Sequence, residues 1–340
     1  MTDDVLQTFP LGPQWPTIDP FLFVAHHDDA YPVANGDLGP DAALDGRSIG
    51  NDFSGVDGWS MYHGSDVPGF PQHPHRGFET VTYVRQGYID HADSLGATAR
   101  FGQGDTQWMT AGAGIQHAEM FPLTRTDRPN PLELFQIWLN LPAADKFVDP
   151  YFTMLWNHRT PRHVAKDAQG RRTEVTVVAG RLDDAEPAPP PPDSWAAKPD
   201  ADVAIWHIHM EPGAVWTMPA PAGSETQRVL YAFEGSTIAI EGVVLDAGTG
   251  ALVRPDRPLE LVAGEGGIDA MLLQGRPIAE PIARYGPFVM NTEDEIRAAY
   301  DDFQTTRFGG WPWPSPAPNH GPDAGRFAIH ADGRRDDVDG

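Results

Sequence analysis

Glycine and proline recur at short intervals along almost the whole chain: 35 glycines and 34 prolines lie among its 340 residues. Both residues interrupt regular structure and are typical of turns. Between them, apolar residues form short runs in which polar positions often alternate, a pattern that favours short β-strands over long helices. The sequence therefore predicts an all-β protein.

Two stretches of the chain carry a similar order of strand-like runs. "ETVTYVRQG" followed by "GQGDTQWM" resembles "ETQRVLYAFEG" followed by "GTGALVRP". Two copies of one β module fit a chain of this length. We therefore predict a first domain at 1–150, a second domain at 151–310 and a C-terminal tail at 311–340.

Two local features are predicted inside the second domain. Residues 183–200 are rich in proline and acidic side chains, which favours a loop that lies on the surface. A helix is predicted at 292–305, because Thr292 and Glu295 have the spacing of a capping box ahead of a helical apolar pattern.

Charge and composition exclude several classes of protein. The net charge is −24, and nucleic acids and anionic lipids require clustered basic residues, so neither is an expected partner. The chain has no cysteine, which excludes disulfides, thiolate catalysis and cysteine-bound zinc. No apolar run is long enough to span a membrane and no secretory signal is visible, so a cytoplasmic location is expected.

The candidate chemistry lies in two short motifs. In "GFPQHPHRGFETVTYV", His73 and His75 are two residues apart, and in "AGAGIQHAEMF" the same spacing separates His117 from Glu119. Side chains at i and i+2 share one face of a strand. On neighbouring strands, the two pairs would bring three imidazoles and a carboxylate together, a ligand set that suits a first-row transition metal rather than calcium or magnesium.

Glu79 is an alternative source of the carboxylate. It is an even number of residues from both histidines of the first motif, so in an extended strand it would share their face. However, about 13 Å of extended strand separates residues 75 and 79, against about 6.6 Å between residues 117 and 119. A bent strand could close the larger gap, so spacing by itself leaves both carboxylates open.

Longer stretches identify a resemblance. "HPHRGFETVTYV", "GDTQWMTAGAGIQHAEM", "ELFQIWLNLP" and "GPFVMNTEDEI" resemble the pirin family of the cupin superfamily. The resemblance implies a bicupin: two antiparallel β-barrel (jelly-roll) domains packed face to face, a short C-terminal helix, and a metal in the N-terminal barrel only. It also implies the ligand set His73, His75, His117 and Glu119, which leaves Glu79 a supporting role.

The same resemblance implies two functions. One is a quercetin (flavonol) 2,3-dioxygenase that uses one divalent transition metal per chain, with Fe(II) favoured over Mn, Ni, Co, Cu or Zn, and takes a polyphenolic substrate and O2. Glu119 would then be the catalytic base. The alternative is a metal-binding regulatory protein that binds a protein partner without catalytic turnover.

Other candidate residues receive simpler interpretations. His26 and His27 are adjacent and would face opposite ways, while His91 is expected at the surface or in a turn. His207 and His209 are interpreted as strand histidines without a metal. Five further residues could line a pocket or belong to the core: Trp59, Met61, Phe70, Trp108 and Met109.

Overall fold

The structure, a computed structural model, describes residues 3–338. The ends of the predicted first domain and of the predicted tail, residues 1–2 and 339–340, lie outside this described part. Among the described residues, no helix is long and apolar enough to cross a membrane.

Almost all regular structure is β-strand. The first eleven strands are β1 (Val5–Pro10), β2 (Gln14–Trp15), β3 (Phe21–Tyr31), β4 (Gly69–His75), β5 (Phe78–Gln86), β6 (Tyr88–Asp93), β7 (Thr98–Gly102), β8 (Thr106–Thr110), β9 (Ile115–Met120), β10 (Asn130–Asn140) and β11 (Tyr151–Leu155). The next ten are β12 (Arg162–Lys166), β13 (Arg172–Ala179), β14 (Ala204–Met210), β15 (Val215–Met218), β16 (Gln227–Gly235), β17 (Thr237–Ile240), β18 (Val243–Asp246), β19 (Thr249–Val253), β20 (Leu259–Ala263) and β21 (Ile268–Gly275). The last elements are β22 (Ala283–Tyr285), β23 (Phe288–Met290), the helix α1 (Glu293–Thr306), β24 (Phe327–Ile329) and β25 (Arg335–Asp337).

The chain forms two compact units, each assembled from separate segments. The first unit contains the described residues up to Ala25, Trp138–Asn140 and His158–Ala279. The second unit contains His26–Ile137, Leu141–Asn157 and the described residues from Glu280 onward. Each domain predicted from the sequence is one continuous segment of the chain, and these domain limits stay a prediction.

Two sheets enclose the core of the first unit. One has seven strands in the order β1-β19-β16-β21-β14-β13-β12, and the other has four in the order β15-β20-β17-β18. Val177 and Leu272 from the larger sheet share one buried apolar cluster with Ile238 and Leu261 from the smaller sheet. Alternating apolar residues on both sheets thus supply a common core.

The second unit has the same two-layer principle. It contains a six-stranded sheet in the order β25-β24-β7-β6-β9-β4, here called the metal-side sheet. It also contains most of a sheet in the order β11-β8-β5-β10-β3-β2, here called the facing sheet. Phe101 of the first sheet lies in one buried cluster with Val84, Leu134 and Phe152 of the second.

The predicted fold class is confirmed in its main features. The chain is almost entirely β, it has two cupin-type units, and its sheets, over residues 3–338, remain open rather than closing into continuous barrels. The predicted helix is also present: α1 begins after the N-cap Thr292, and the reciprocal capping box with Glu295 is formed.

The insertion and the tail contribute specific contacts. Within 183–200 the described chain has no strand or α-helix, yet Trp195 is buried and donates from Nε1 to the carbonyl of Arg276. In the tail, β24 pairs with β7 and so extends the metal-side sheet.

Candidate metal centre

Strand pairing brings the two histidine motifs together. His73 on β4 lies directly opposite His117 on β9, and cross-strand neighbours share one face of a sheet. β4 is the edge strand of the metal-side sheet, where its prolines, Pro71 and Pro74, are tolerated because an edge strand pairs on one side only. The register shifts between Phe70 and His73, a bulge of the kind that re-aims side chains beside functional sites.

Three imidazoles form a compact group. One ligand atom from each of His73, His75 and His117 lies within 4.8 Å of the others. The ring centroid of His117 is 4.4 Å from that of His73 and 4.9 Å from that of His75. These separations match ligands that converge on one ion about 2.0–2.1 Å from each nitrogen.

The hydrogen bonds of the three rings fit a metal. Nδ1 of His73 lies 2.8 Å from the Pro71 carbonyl, and Nδ1 of His75 lies 3.3 Å from the Pro287 carbonyl. Such carbonyls orient a ring and leave Nε2 as the ligand nitrogen. His117 is fully buried, and within residues 3–338 neither of its ring nitrogens has a hydrogen-bond partner. A metal would satisfy that otherwise costly group.

Burial also controls the charge of these groups. It lowers the pKa of His73 to about 4 and holds the pKa values of His75 and His117 well below their usual range. Burial likewise raises the pKa of Glu119 above its ordinary value. The imidazoles are therefore neutral at physiological pH, which is the form that binds a metal.

Glu119 lies beside this group and is held from the facing sheet. Its Oε2 is 3.7 Å from Nε2 of His117. Gln136 on β10 donates from Nε2 to Glu119 Oε2 at 2.8 Å, and the Thr82 hydroxyl on β5 donates to Glu119 Oε1 at 3.3 Å. Thr82 also hydrogen-bonds to Gln136, so three polar side chains form one connected network.

Glu79 points to the other face of β5. Its carboxylate accepts hydrogen bonds from Trp108 Nε1 at 3.2 Å and from Thr110 Oγ1 at 2.7 Å. Because side chains alternate along a strand, Glu79 and Thr82 face opposite sides of the facing sheet. The geometry thus gives Glu79 a local hydrogen-bonding role.

Comparison with known proteins bears on both units. The model of the family described as Pirin matches residues 3–139, and the Pirin C-terminal cupin domain matches residues 205–309. A Pseudomonas aeruginosa protein named putative quercetin 2,3-dioxygenase is 37% identical over 240 residues, which cover 71% of this chain and 79% of that protein. This chain belongs to the pirin family.

Two further comparisons extend over most of the chain. A pirin-like protein of Solanum lycopersicum is 35% identical over 290 residues, covering 79% of this chain and 88% of that protein. The crystal structure of a quercetin 2,3-dioxygenase from Acinetobacter baumannii superposes with a TM-score of 0.70 at 25% identity, covering 91% of this chain and 99% of that one. The pirin resemblance read from the motifs is thereby confirmed.

The expectation for His91 was wrong. In this member of the pirin family His91 lies on β6 and is fully buried, directly opposite Glu119 in the sheet register. Its Nε2 is 3.2 Å from Asp93 Oδ2, and its ring centroid is 5.6 Å from that of His117. The residues "HADSLG" do contain a turn, but that turn begins only after Asp93.

Sequence reasoning missed the two residues that hydrogen-bond to Glu119. Thr82 and Gln136 lie on two strands other than its own, and no motif links them to "HAE". The sequence does contain one signal for them: they are polar residues at strand positions where an apolar residue is expected, which indicates a face that is not ordinary core. That signal identifies the residues only after the two sheets are known to face each other.

The remaining candidates divide between core and site. Trp59 and Met61 belong to the apolar core, and Trp108 and Met109 are buried. The partly buried ring of Phe70 is 6.3 Å from that of His73, so among these five residues it is the one in ring contact with the histidine group. His27 packs edge-on against Phe70 and Tyr62.

In the first unit the two strand histidines share one carboxylate. His207 Nε2 is 2.6 Å from Asp269 Oδ1, and His209 Nδ1 is 3.0 Å from Asp269 Oδ2. Across residues 3–338, one group of three histidine, aspartate or glutamate side chains has a ligand atom from each residue within 4.8 Å of the other two, and it is His73, His75 and His117.

Proposed function

We propose that this pirin-family protein is a metal-dependent flavonol 2,3-dioxygenase whose metal is bound by His73, His75, His117 and Glu119. The observation that carries the proposal is the group of three histidines with ligand atoms within 4.8 Å of one another. The names of the Pseudomonas and Acinetobacter relatives support flavonol, specifically quercetin, as the substrate class.

The donor set restricts the metal. Three imidazoles and a carboxylate would suit iron, manganese, cobalt, nickel, copper or zinc, and an ion held by these four side chains would supply a Lewis acid to a bound ligand. Iron(II) is the favoured ion, because sites of histidines and one carboxylate with open positions are typical of non-haem iron oxygenases. One ion per chain is proposed.

A bound ion would supply positive charge that lowers the pKa of the flavonol 3-hydroxyl. Glu119 then takes the 3-hydroxyl proton on a carboxylate oxygen as general base. Gln136 and Thr82 keep that carboxylate in place through their hydrogen bonds to its two oxygens. In the overall reaction both atoms of O2 enter the ring-opened ester, and carbon 3 of the flavonol leaves as carbon monoxide.

Two variants distinguish the loss of the general base from the loss of the metal. Glu119→Gln should retain some metal, since an amide oxygen still coordinates weakly, but should lose turnover by about 10²–10⁴-fold because an amide cannot accept the proton. His117→Ala should lose metal and activity together. Quercetin decay is followed by absorbance per mole of bound metal, and carbon monoxide is quantified in the headspace.

The control is Glu225→Gln, the same substitution at an exposed loop position of the first unit, which should behave as wild type. All variants should keep the wild-type circular dichroism spectrum. A fully metallated wild-type protein that decays quercetin no faster than free metal would overturn the dioxygenase proposal. That result would leave the metal-binding regulatory alternative.

A further inference from the structure

A row of polar side chains on the facing sheet points into the same interior as Glu119. Thr82 on β5 reaches Glu119 with its hydroxyl, so this face of β5 looks towards the site. Thr80 is two residues earlier and shares that face. Gln107 on β8 lies directly opposite Thr82 in the antiparallel register, and cross-strand neighbours also share a face.

Over residues 3–338, Gln107 and Thr80 carry buried polar atoms that the fold leaves unpaired, as does Thr106 on the opposite face of β8. Both are fully buried, and in the described part of the chain neither amide atom of Gln107 nor the Thr80 hydroxyl has a hydrogen-bond partner. On the opposite face of the same two strands, Glu79 and Thr110 satisfy each other. Native proteins keep very few buried polar groups unpaired, and such groups call for an explanation.

An unpaired amide offers a donor and an acceptor side by side. The oxygen edge of a flavonol presents complementary groups: the 4-carbonyl accepts a hydrogen bond, and the ring hydroxyls donate one. A site that hydrogen-bonds such groups discriminates strongly, because an analogue lacking them leaves the buried partners unpaired. Gln107 is the cross-strand neighbour of Thr82, whose hydroxyl reaches Glu119, so its amide lies on the same face and near that carboxylate.

We propose that Gln107, with Thr80 beside it, is the specificity-determining residue that binds the 4-carbonyl edge of the flavonol. Gln107 Nε2 donates to the carbonyl oxygen, and Oε1 accepts from a substrate hydroxyl. This inference rests on the proposed function, since it takes the flavonol as the ligand of the same site.

The test measures binding apart from turnover. Protein is loaded with zinc, which is redox-inert, and quercetin is titrated under anaerobic conditions by its absorbance change. Gln107→Met keeps the side-chain length and removes the amide, and Gln107→Glu replaces the donor with an acceptor. We expect quercetin affinity to fall at least 10-fold in Gln107→Met and further in Gln107→Glu. Gln86→Met, at an exposed position of β5, should bind as wild type.

The melting temperature of the metal-free protein distinguishes a ligand-binding amide from a structural one. Replacing an unpaired buried polar group with an apolar group of similar shape is neutral or stabilising. We therefore expect Gln107→Met and Gln107→Leu to melt at or above the wild-type temperature. Lower melting temperatures in both would show that the amide is already bonded in the fold, and would overturn the proposal.

The outcomes separate this inference from the proposed function. If wild-type protein binds and consumes quercetin while Gln107→Met binds it equally well, only the role of Gln107 is overturned. If wild-type protein does not bind quercetin, the flavonol function itself fails, and the assignment of Gln107 fails with it.

Discussion

Asp29 shows how strongly burial in the second unit can change the pKa of a single carboxyl group. It is buried, Ser60 N donates to its Oδ1 at 3.0 Å, and the Tyr62 hydroxyl donates to its Oδ2 at 2.8 Å. Both hydrogen bonds favour the charged form, yet burial outweighs them and raises the pKa of Asp29 to about 7. Desolvation is therefore the larger effect at this position.

The raised pKa predicts a pH dependence of stability. Between about pH 4 and pH 7 the folded protein keeps a proton on Asp29 that the unfolded chain releases. The free energy of unfolding should therefore fall as pH rises through this window, by up to about 4 kcal/mol from this group. Urea unfolding of wild type and Asp29→Asn at several pH values measures the effect.

Asp29→Asn removes the titrating group and keeps the shape. Relative to wild type, it should gain stability as pH rises from 4 to 7 and show a constant difference outside that window. Parallel pH profiles for the two proteins across the window would contradict the assigned pKa.

Helix α1 is the element whose end is best defined by local chemistry. Thr292 Oγ1 accepts from the backbone N–H of Glu295 at 3.2 Å, and Glu295 Oε2 accepts from the N–H of Thr292 at 2.8 Å. Ile296 and Ala299 face the apolar cluster of the second unit that also contains Phe288. Beyond the helix, the carbonyls of Arg307 and Gly310 accept from Gln116, the residue before His117.

We expect Thr292→Ala to lower the free energy of unfolding by about 1 kcal/mol, because the capping hydrogen bond is lost. Thr305→Ala is the matched control in the last turn of the same helix, where alanine is a better helix former and no N-cap is removed. Thermal unfolding of wild type and both variants measures the difference in stability. Equal losses in the two would mean that the cap contributes no stability of its own.

The two units differ in the chemistry that they bring together. The second unit gathers His73, His75 and His117 with neutral rings, of which that of His73 is half-buried and the other two are buried, whereas in the first unit His207 and His209 both bond to Asp269. The carboxylate of Asp269 thus gives one ring nitrogen of each of these two histidines a hydrogen-bond partner.

This difference predicts one metal ion per chain. Protein stripped of metal and reloaded should contain close to one equivalent by elemental analysis. The double variant His207→Ala, His209→Ala should keep that equivalent, whereas His117→Ala should lose it. A reproducible content near two equivalents in wild type, reduced to one by the double variant, would show that the first unit also binds a metal.

Local sequence was sufficient for features that depend on neighbours along the chain. Glycine and proline spacing predicted an all-β fold, the Thr292–Glu295 spacing predicted α1, and the i, i+2 spacing predicted that His73 and His75 share a face. In each case the physical cause lies within a few residues: turn geometry, a capping hydrogen bond or the two-residue period of a strand.

Only the tertiary structure decided which strands meet, and in which register. Four features depend on residues that are far apart in sequence: the pairing of β4 with β9, the burial of His91, the support of Glu119 by Gln136 and the position of Gln107. The two-residue period of a strand predicts which face of the strand a side chain occupies, but it does not predict which other element packs on that face. Long-range packing of two sheets settles that, because it buries apolar area that no single strand can bury alone.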